Sequence, residues 1–436
     1  MEQLTGWLTA AEAAERLGVK PATLYAYVSR GVLGRRQSPS GQSLFDPAEV
    51  ERLARRGRPR QRPTGASEVV IESRITALGA DRPFYRGHDA LDLASSASFE
   101  SVAELLWTGE LSSGPRVWRA GEAALRAGRA AGAALPGKVL LLDRIQAVVP
   151  ALAVTDPLRG NLDPGAVVDI GRALVAGIVD CLPAPSAGAG SAARASDAVV
   201  SDAGSAAQTG GAGFAAHGAD PNAPGQAVED SIAGRLAARL GAENRFIDGI
   251  RAALVLLADH ELAASTLAAR VAASVRADPY AVVAAGLATV SGTLHGGASL
   301  GAEALLDAVA DPADADETIG LLLRRGERIP GFGHAVYKSG DGRAGALLNR
   351  ITAAAPDHPV LRGAEALIAA ASRRRLPEPN IDFALATLTR AAGMPTGAGE
   401  AIFAIARVAG WLAHAMEEYE RRTPLRLRAV YIGPQS

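Results

Sequence analysis

Residues 401–416 read AIFAIARVAGWLAHAM, and this stretch decides the fold class. A helix drawn through it is apolar on nearly every side, so the sequence predicts a buried α-helix. Arg407 is the only permanent charge among these sixteen residues. Because an unpaired buried charge is costly, the guanidinium needs an anionic partner, either a carboxylate of the protein or a ligand.

Helical periodicity extends over most of the chain. It is present in FESVAELLWTGEL (99–111), VLRGAEALIAAASRRR (360–375) and AIFAIARVAGWLAHAMEEYERR (401–422), while sustained two-residue alternation is scarce. The abundant alanines favour helices and permit close contacts between them. The sequence therefore predicts a mainly α-helical fold.

Length and composition favour an ordinary globular protein of more than one domain. The chain has 436 residues, of which 48% are apolar and 21% charged, with a net charge of −1. No apolar run reaches the roughly 20 residues that span a bilayer, so we expect no membrane association. The single cysteine, Cys181, and a start that lacks the order of a signal peptide favour the cytoplasm.

The first 57 residues differ from the rest in charge and pattern. Residues 1–63 hold eleven Lys or Arg against six Asp or Glu. The segment TAAEAAERLGVKPATLYAYVSRGVL (9–33) predicts two short helices around a turn, and GQSLFDPAEVERLARRGR (41–58) predicts an extended piece and a helix opened by Asp46 and Pro47. This arrangement resembles the winged helix-turn-helix of the MerR and excisionase type. The alternative is a basic helical appendage that docks on a partner or on the rest of the chain.

The helix-turn-helix resemblance implies a set of DNA-binding candidates. Thr23, Tyr27 and Arg30 would face a DNA groove, and Lys20, Arg35 and Arg36 would contact phosphates.

Two breaks divide the chain. We predict a helix-turn-helix domain at 1–57, a Pro- and Arg-rich linker at 58–66 and a body at 67–436. Within the body, residues 184–229 are almost empty of large apolar groups and predict a disordered or surface insertion. Its glycine clusters are similar to nucleotide-binding loops, but no predicted strand precedes them and no sustained helical pattern follows. We therefore predict no nucleotide site there.

Four short segments hold candidate chemistry, and three of them also have a simple structural explanation. His260 in ADHELAAST could be a satisfied core histidine, and the missing second histidine at 264 excludes a zinc-binding HExxH. His295, in SGTLHGGASLGAE, has small neighbours that leave room for a ligand, or it lies in a solvent-exposed turn. His334 lies among four glycines in GFGHAVYKSGDGR (331–343), which indicates a backbone that must approach something closely. Asp382, in PEPNIDFALATLTRAAGMP, lies in the first turn of a predicted helix and could simply cap it.

HELAAST, GTLHGGAS, GFGHAVYKSGDGRA and PNIDF occur in the order and approximate spacing of the citrate synthase family, which the chain resembles over roughly residues 68–433. The segment YRGHDALDLASSASFESVAELLWTGEL (85–111) resembles the N-terminal part of that family. The resemblance implies a helical homodimer with a large domain and a small domain, the latter at about 297–388, which close over oxaloacetate and an acyl-CoA. It implies no cofactor and no metal.

The resemblance also implies roles for individual residues. Asp382 would remove a proton from the acyl α-carbon, His295 would stabilise the enol or enolate, and His334 would polarise the oxaloacetate carbonyl. The residues that would hold oxaloacetate are His260, Arg343, Arg407 and, from the neighbouring subunit, Arg426. Lys338 would contact CoA phosphates, although a surface lysine is an almost equal alternative.

Three positions depart from the family pattern. Ala263 replaces an asparagine, Gly342 replaces the proline of DPRA, and Leu427 replaces the proline of RPR. None of these changes removes a catalytic side chain, and the third weakens the assignment of Arg426.

These motifs favour acetyl-CoA condensation with oxaloacetate to give citrate and CoA. Two alternatives stay open: a 2-methylcitrate synthase that uses propionyl-CoA, and a DNA-binding transcription regulator whose synthase-like body senses metabolites or dimerises.

Overall fold

The computed structural model of the protein describes residues 7–17, 24, 27–28, 33–38, 41–50, 71–112, 114, 117–184, 224–421, 423–426, 429 and 433. The chain divides into two units, Met1–Glu72 and Ser73–Ser436. The predicted linker and most of the predicted insertion lie outside the described residues. The last six residues of that insertion, Pro224–Glu229, form a short helix. The predicted domain limits stay a prediction.

The first unit contains a small antiparallel sheet and a short helix. Its described elements are β1 (Leu8–Thr9), α1 (Ala10–Leu17), β2 (Arg36–Gln37) and β3 (Ser43–Phe45), with β3 between the other two strands. Further helical residues are described at 24, 27–28 and 47–50. The N–H of Ala48 donates to Asp46 Oδ1 (2.8 Å), as expected for an aspartate that opens a helix. The core of the unit consists of Ala13, Ala14, Leu24, Leu33, Phe45 and Val50.

The second unit begins with a three-stranded antiparallel meander. It comprises β4 (Thr76–Leu78), β5 (Pro83–Tyr85) and β6 (His88–Asp89), with Thr76 opposite Tyr85 and Phe84 opposite Asp89. Asp89 then caps the first helix of the second unit, Ala90–Ser96, because its carboxylate accepts the N–H of Leu91 (2.7 Å).

The other described secondary-structure elements of the second unit are helices. In chain order they are α2 (Ala90–Ser96), α3 (Phe99–Thr108), α4 (Glu122–Ala133), α5 (Leu141–Ala153), α6 (Pro164–Cys181), α7 (Pro224–Glu229), α8 (Ile232–Leu240), α9 (Ile247–Leu257), α10 (Ala264–Ser274), α11 (Pro279–Val290), α12 (Ala298–Asp307), α13 (Ala315–Arg324), α14 (Gly342–Ala354), α15 (Pro359–Arg373), α16 (Ile381–Ala391) and α17 (Ala398–Arg421). Two 3₁₀ turns, Asn244–Phe246 and Pro312–Asp314, lie between them. The prediction of a mainly α-helical fold is confirmed. None of the helices in the described ranges is long and apolar enough to cross a membrane.

The quoted stretch 401–416 lies in α17, which is buried along most of its 24 residues. Small residues allow its neighbours to approach closely. At Gly286 of α11, for example, an added Cβ would lie 2.6 Å from the ring of Trp411. The second unit has two hydrophobic cores, and α17 lies in the larger one. Close packing of small residues explains how this helix can be buried there on nearly all sides.

A second, smaller core lies between residues 302 and 386. It is built mainly from α12, α15 and α16, with Leu305, Leu367 and Phe383 among its buried side chains. Helix α14 falls within the predicted small-domain range, yet its Leu347 belongs to the larger core. Helix α16, which carries Asp382, contributes to both cores. Asp382 therefore lies on the helix that the two cores share.

Candidate active site

The loop at 331–343 is shaped by glycines in left-handed conformations. Gly331 and Gly333 have φ values of 77° and 78°, a region that side chains disfavour. An added Cβ at Gly331 would also lie 2.8 Å from the Cβ of Phe383. These glycines let the loop that carries His334 lie directly against the start of α16.

Three hydrogen bonds fasten this loop to the segment before α16. The N–H of Gly333 donates to Glu378 O, the N–H of Asn380 donates to Gly331 O, and Asn380 Nδ2 donates to Gly333 O, each at 2.8 Å. Because Asn380 is the N-cap of α16, the loop and the helix are positioned by the same side chain. His334 and Asp382 are thereby brought to one place.

The His334 ring presents a hydrogen-bond donor. Its Nδ1 accepts the N–H groups of Val336 (3.0 Å) and Tyr337 (3.2 Å), which favours a neutral imidazole with its proton on Nε2. In that tautomer the 3.4 Å approach of Arg343 Nη2 to Nε2 brings two donors together and is not a hydrogen bond. Burial, followed by the nearby Arg343 cation, lowers the pKa of His334 below the ordinary value for histidine. A neutral ring with Nε2–H can donate to a carbonyl oxygen.

His260 lies beside His334 and is oriented by a tyrosine. Its Nε2 is 3.0 Å from Tyr337 Oη, and the His260 and His334 ring centroids are 5.3 Å apart. Burial, and after it the cations of Arg343 and Arg407, lower the pKa of His260. The side chain is therefore uncharged near neutral pH and can hydrogen-bond a ligand without adding charge.

His295 reaches the same place from the loop between α11 and α12. Its Nε2 is 2.8 Å from Ser265 Oγ on α10, and its ring contacts Phe403 edge-on at 5.7 Å between centroids. Burial, followed by Arg407, lowers the pKa of His295 to about 4. His295 is thus a second neutral imidazole, held by a buried serine.

Asp382 does not cap its own helix. Asn380 Oδ1 accepts the N–H groups of Asp382 (2.9 Å) and Phe383 (3.3 Å), so the capping function belongs to the asparagine. No hydrogen bond from a residue in the described ranges reaches the Asp382 carboxylate. Burial raises the pKa of Asp382 to about 6. A carboxylate in this state is a stronger base than an ordinary aspartate and is still ionised at neutral pH.

Two buried arginines supply positive charge, each only 2% exposed. Arg343 pairs with Asp341 through Nε–Oδ1 (2.9 Å) and Nη2–Oδ2 (2.8 Å) contacts. Arg407 donates from Nε to Leu257 O (2.9 Å), and its guanidinium lies 4.6 Å from the Phe403 ring centroid. No carboxylate of the described residues forms an ion pair with Arg407. Asp259 and Asp382 act on Arg407 by charge without an ion-pair contact, which leaves the guanidinium available to an anionic ligand.

One cavity of about 530 Å³ collects six of the eight residues that the sequence predicted for the reaction. These six residues are His260, His295, His334, Arg343, Asp382 and Arg407. Ala263, where the family pattern has asparagine, also lines the cavity. The arrangement can place a base, two neutral donors and two cations around a small anionic ligand.

The other two predicted residues lie elsewhere. Lys338 is exposed and lines a neighbouring cavity of about 410 Å³, where its Nζ is 3.4 Å from His334 O. Arg426 is exposed and does not line the first cavity in its own chain. Its predicted contribution to the neighbouring subunit stays a prediction, as does the CoA contact of Lys338.

The DNA-binding candidates are only partly described. Tyr27 is half-buried and packs against the core of the first unit. Arg35 and Arg36 are exposed, and the Arg36 guanidinium lies 5.2 Å from the Trp7 ring centroid. The remaining candidates, Lys20, Thr23 and Arg30, lie outside the described residues.

Several supporting residues were not singled out from the sequence. Ser265 stands within the quoted HELAAST and could have been noticed as a polar partner for a histidine. Tyr337 lies three residues after His334, where it can stack on that ring, with 4.7 Å between centroids. Asn380 directly precedes the predicted helix, and asparagine is a preferred N-cap, so the local sequence contained that signal.

The second unit is mainly helical, and one cavity in it brings together neutral histidines, an aspartate with a raised pKa and two buried arginines. Residues 65–428 match the family described as Citrate synthase, C-terminal domain. The chain belongs to the citrate synthase family. Residues 7–58 match the family described as Helix-turn-helix domain. Both resemblances predicted from the sequence are confirmed.

Known proteins similar to this chain bear the same family name. Citrate synthase 2 of Bacillus subtilis is 37% identical over 194 residues, which cover 43% of this chain and 51% of the relative. The chain thus spans about half the length of this relative. 2-Methylcitrate synthase 1 of Corynebacterium glutamicum is 29% identical over 390 residues, which cover 85% of this chain and 92% of that protein.

Solved structures agree with the fold. Citrate synthase of Thermoplasma acidophilum, in a ternary complex with carboxymethyl coenzyme A and oxaloacetate, has a TM-score of 0.64 and 26% identity. That similarity covers 85% of this chain and 95% of the archaeal chain. Citrate synthase of Pyrobaculum aerophilum has a TM-score of 0.65 at 24% identity, covering 92% and 95% of the two chains, and it supports the fold.

Proposed function

We propose that the protein condenses acetyl-CoA with oxaloacetate and releases citrate and CoA. The observation that carries the proposal is the meeting of Asp382, His295 and His334 on the wall of one cavity. Family membership and the ternary complex of the archaeal relative support it. The reaction is carried by protein side chains, with the acyl-CoA as substrate and no resident cofactor or metal.

In the first step, Asp382 takes a proton from the α-carbon of the acyl group. The α-hydrogen of a thioester is weakly acidic, so the developing enol or enolate oxygen needs a fixed donor, which His295 supplies. Removing one such donor typically costs about 10²–10³ in rate. The raised pKa of Asp382, about 6, fits a base that works near neutral pH.

In the second step, the enol carbon attacks the ketone carbon of oxaloacetate and forms the new carbon–carbon bond. We assign His334 Nε2–H to polarising the ketone and to giving its proton to the developing alkoxide, because the His334 ring lines the cavity. The product is a citryl-CoA thioester. Water then cleaves the C–S bond, which yields citrate and the free thiol of CoA.

Oxaloacetate carries two carboxylates, which guanidinium groups bind well. Arg407 has no carboxylate partner among the described residues and is the main candidate for one of them. Arg343 is already paired with Asp341 and would share its charge with the ligand. We assign His260 to hydrogen-bonding the same molecule, Arg426 to a contact from the neighbouring subunit, and Lys338 to CoA phosphates.

The assay that tests this function detects free thiol after purified protein is mixed with acetyl-CoA and oxaloacetate. We expect thiol release that depends on oxaloacetate, and a reaction without oxaloacetate is the control. Absence of release with acetyl-CoA, propionyl-CoA and other short acyl-CoAs would refute the proposal. The ratio of kcat/KM values for acetyl-CoA and propionyl-CoA decides between citrate and 2-methylcitrate synthesis.

A homodimer is part of the proposal. Leu267, Val271 and Val275 follow one another at four-residue steps along α10 and its end, and they are 36%, 46% and 66% exposed. Residues four apart share one helix face, so they form an apolar stripe. A second copy of the chain would cover this stripe and could bring its Arg426 to the cavity. We also propose a cytoplasmic location and a place at the entry of the tricarboxylic acid cycle.

A DNA-binding regulator is the second candidate function. The helix-turn-helix match at 7–58 favours it, together with the excess of basic residues in that region and the exposed Arg35 and Arg36. A dimer would present two such domains to a two-fold site. We expect duplex-DNA affinity that falls steeply with salt. Affinity that is unchanged in an Arg30→Ala, Arg35→Ala, Arg36→Ala variant would speak against this function.

A further inference from the structure

The short segment between α9 and α10 presents His260 to the cavity, and its backbone is unusual. Glu261, directly after His260, has φ of 52°, in the left-handed region that residues with a side chain disfavour. His260 and Leu262 form an isolated bridge on either side of it. Such a turn persists only where its surroundings hold it.

The carboxylate of Asp259 closes this turn. Asp259 is fully buried, and its Oδ2 accepts the N–H of Glu261 at 3.1 Å. The backbone around Asp259 is held as well, because the Tyr85 hydroxyl lies 3.1 Å from Leu256 O and 3.2 Å from Asp259 O and can donate to either. Asp259 therefore fixes the residues on both sides of His260 but does not itself line the cavity.

His414 holds the same carboxylate from α17. Its Nε2 is 3.3 Å from Asp259 Oδ2, and its Nδ1 is 2.6 Å from Arg270 Nη1. A guanidinium can only donate, so Nδ1 is the acceptor and Nε2–H donates to Asp259. The direction of both hydrogen bonds is thus determined by Arg270.

Arg270 is in turn anchored to the end of α17. It is fully buried and donates from Nε to Glu418 Oε1 (2.7 Å) and from Nη1 to Glu417 Oε2 (2.8 Å). The chain of contacts runs from these two carboxylates through Arg270 and His414 to Asp259. It ends at the turn that carries His260.

Close packing leaves Asp259 little freedom. A Cβ added at Gly410 of α17 would collide with the Asp259 carboxylate, and the N–H of Gly410 donates to Ala258 O at 3.0 Å. Helix α17 also carries Arg407, so one helix positions both the cation and the histidine turn. Both elements face the cavity in which we place oxaloacetate.

We propose that Asp259 is a positioning residue for oxaloacetate: its carboxylate, held by His414 and Arg270, fixes the strained turn that presents His260. This inference rests on the proposed function, since oxaloacetate is the ligand. It predicts a selective loss of oxaloacetate affinity when the Asp259 contacts are removed. The acyl-CoA, which relies on other residues, should be little affected.

The test compares Asp259→Ala, Asp259→Asn and His414→Phe with the wild-type protein. Oxaloacetate binding is measured by calorimetry without acyl-CoA, and KM values for both substrates are measured by thiol release. We expect Asp259→Ala to weaken oxaloacetate binding by about tenfold or more, as for loss of a buried hydrogen bond to a charged group, with the acyl-CoA KM within about twofold of wild type. Asp259→Asn keeps an oxygen for both donors and should restore most of the affinity.

Glu100→Ala is the matched control. Glu100 is also a buried carboxylate, 3% exposed, and its Oε1 accepts the N–H of Ile232 at 2.7 Å, but it does not line the cavity. We expect this variant to alter stability without altering the oxaloacetate dissociation constant. A selective effect in Asp259→Ala that Glu100→Ala lacks would separate positioning from general destabilisation.

Because binding and folding are linked, a partly unfolded variant has a weaker apparent dissociation constant, so each variant is compared at a temperature at which circular dichroism shows it to be fully folded. If Asp259→Ala does not fold, His414→Phe decides, with an expected loss of about threefold or more in oxaloacetate affinity. An unchanged oxaloacetate dissociation constant in the folded variants, or equal changes for both substrates, would overturn the inference. A wild-type protein that does not bind oxaloacetate would overturn the proposed function and, with it, this inference.

Discussion

Asp382 lies in the first turn of α16 but does not cap this helix, because Asn380 does so. Asn380 caps α16, and the Asp382 carboxylate is left without a hydrogen bond from the described residues. Desolvation then acts on it without a hydrogen bond to counter it, which is why the pKa of Asp382 rises to about 6. Helix capping therefore belongs to Asn380, and the proposed proton transfer belongs to Asp382.

This pKa predicts the pH dependence of the reaction. Asp382 is a base only when ionised, so it is competent above about pH 6 and becomes protonated as the pH falls through that value. We expect kcat/KM for the acyl-CoA to fall about tenfold per pH unit below this point. Thiol release measured from pH 5 to 8 checks this. A rate independent of pH over that interval would contradict the assignment of the base.

Replacement of the base should leave the fold intact. We expect Asp382→Asn to lower kcat by about 10²–10⁴, because general-base help is lost. The oxaloacetate dissociation constant should stay close to that of the wild type, since the arginines are untouched. The control is Asn380→Ala, which removes the cap and should destabilise the protein by about 0.5–2 kcal/mol. Equal activity of Asp382→Asn and wild type would exclude the proposed mechanism.

At the scale of elements, the loop 331–343 and helix α16 act as one unit. Three hydrogen bonds and two glycines with positive φ join them. We expect Gly331→Ala to cost at least about 1–2 kcal/mol, since alanine disfavours this φ and its Cβ would press on Phe383. Thermal unfolding and thiol release measure the two effects, and both should decline.

Gly345 offers a matched control for that substitution. It lies inside α14, where an added Cβ has nothing within 4 Å. Gly345→Ala should therefore stabilise the protein by up to about 1 kcal/mol, because alanine is the better helix former. If both alanine variants had the same stability, the conformational argument for Gly331 would be wrong.

The local sequence was sufficient for some features of the site. Glycines around His334 and the apolar surroundings of Arg407 are visible in the sequence itself, and the ordered motifs indicated the family. The contact of His295 with Ser265, which is 30 residues away in sequence, depends on tertiary packing, and helical periodicity does not specify it. The pairing of Arg343 with Asp341, by contrast, is local to the start of α14. The role of Asp382 was ambiguous, because either it or Asn380 could have capped the helix.

One departure from the family pattern has a structural consequence at the start of α14. The N–H of Gly342 donates to Asp81 O at 2.8 Å, a contact that proline could not make. An added Cβ there would lie 2.9 Å from Asp81 Oδ2. Gly342 thereby ties the Arg343 region to the turn before β5.

At the scale of the whole molecule, we predict that Val271 contributes to the proposed dimer. We expect Val271→Arg to shift the protein toward monomers and to reduce thiol release, because a buried unpaired charge opposes association. Analytical ultracentrifugation measures the assembly state. Leu323→Arg is the control, since Leu323 is similarly exposed, 42% against 46%, but lies on α13 outside the stripe. A wild-type protein that sediments as a monomer would refute the proposed dimer.

The burial of Arg343 and Arg407 has a consequence for how the two proposed ligands respond to ionic strength. Counterions in solution screen surface charges strongly and buried charges much less. Oxaloacetate held mainly by these two cations should stay bound as salt is raised, whereas DNA held by exposed arginines should dissociate. A single salt titration of the intact chain would then separate its two proposed activities without any mutation.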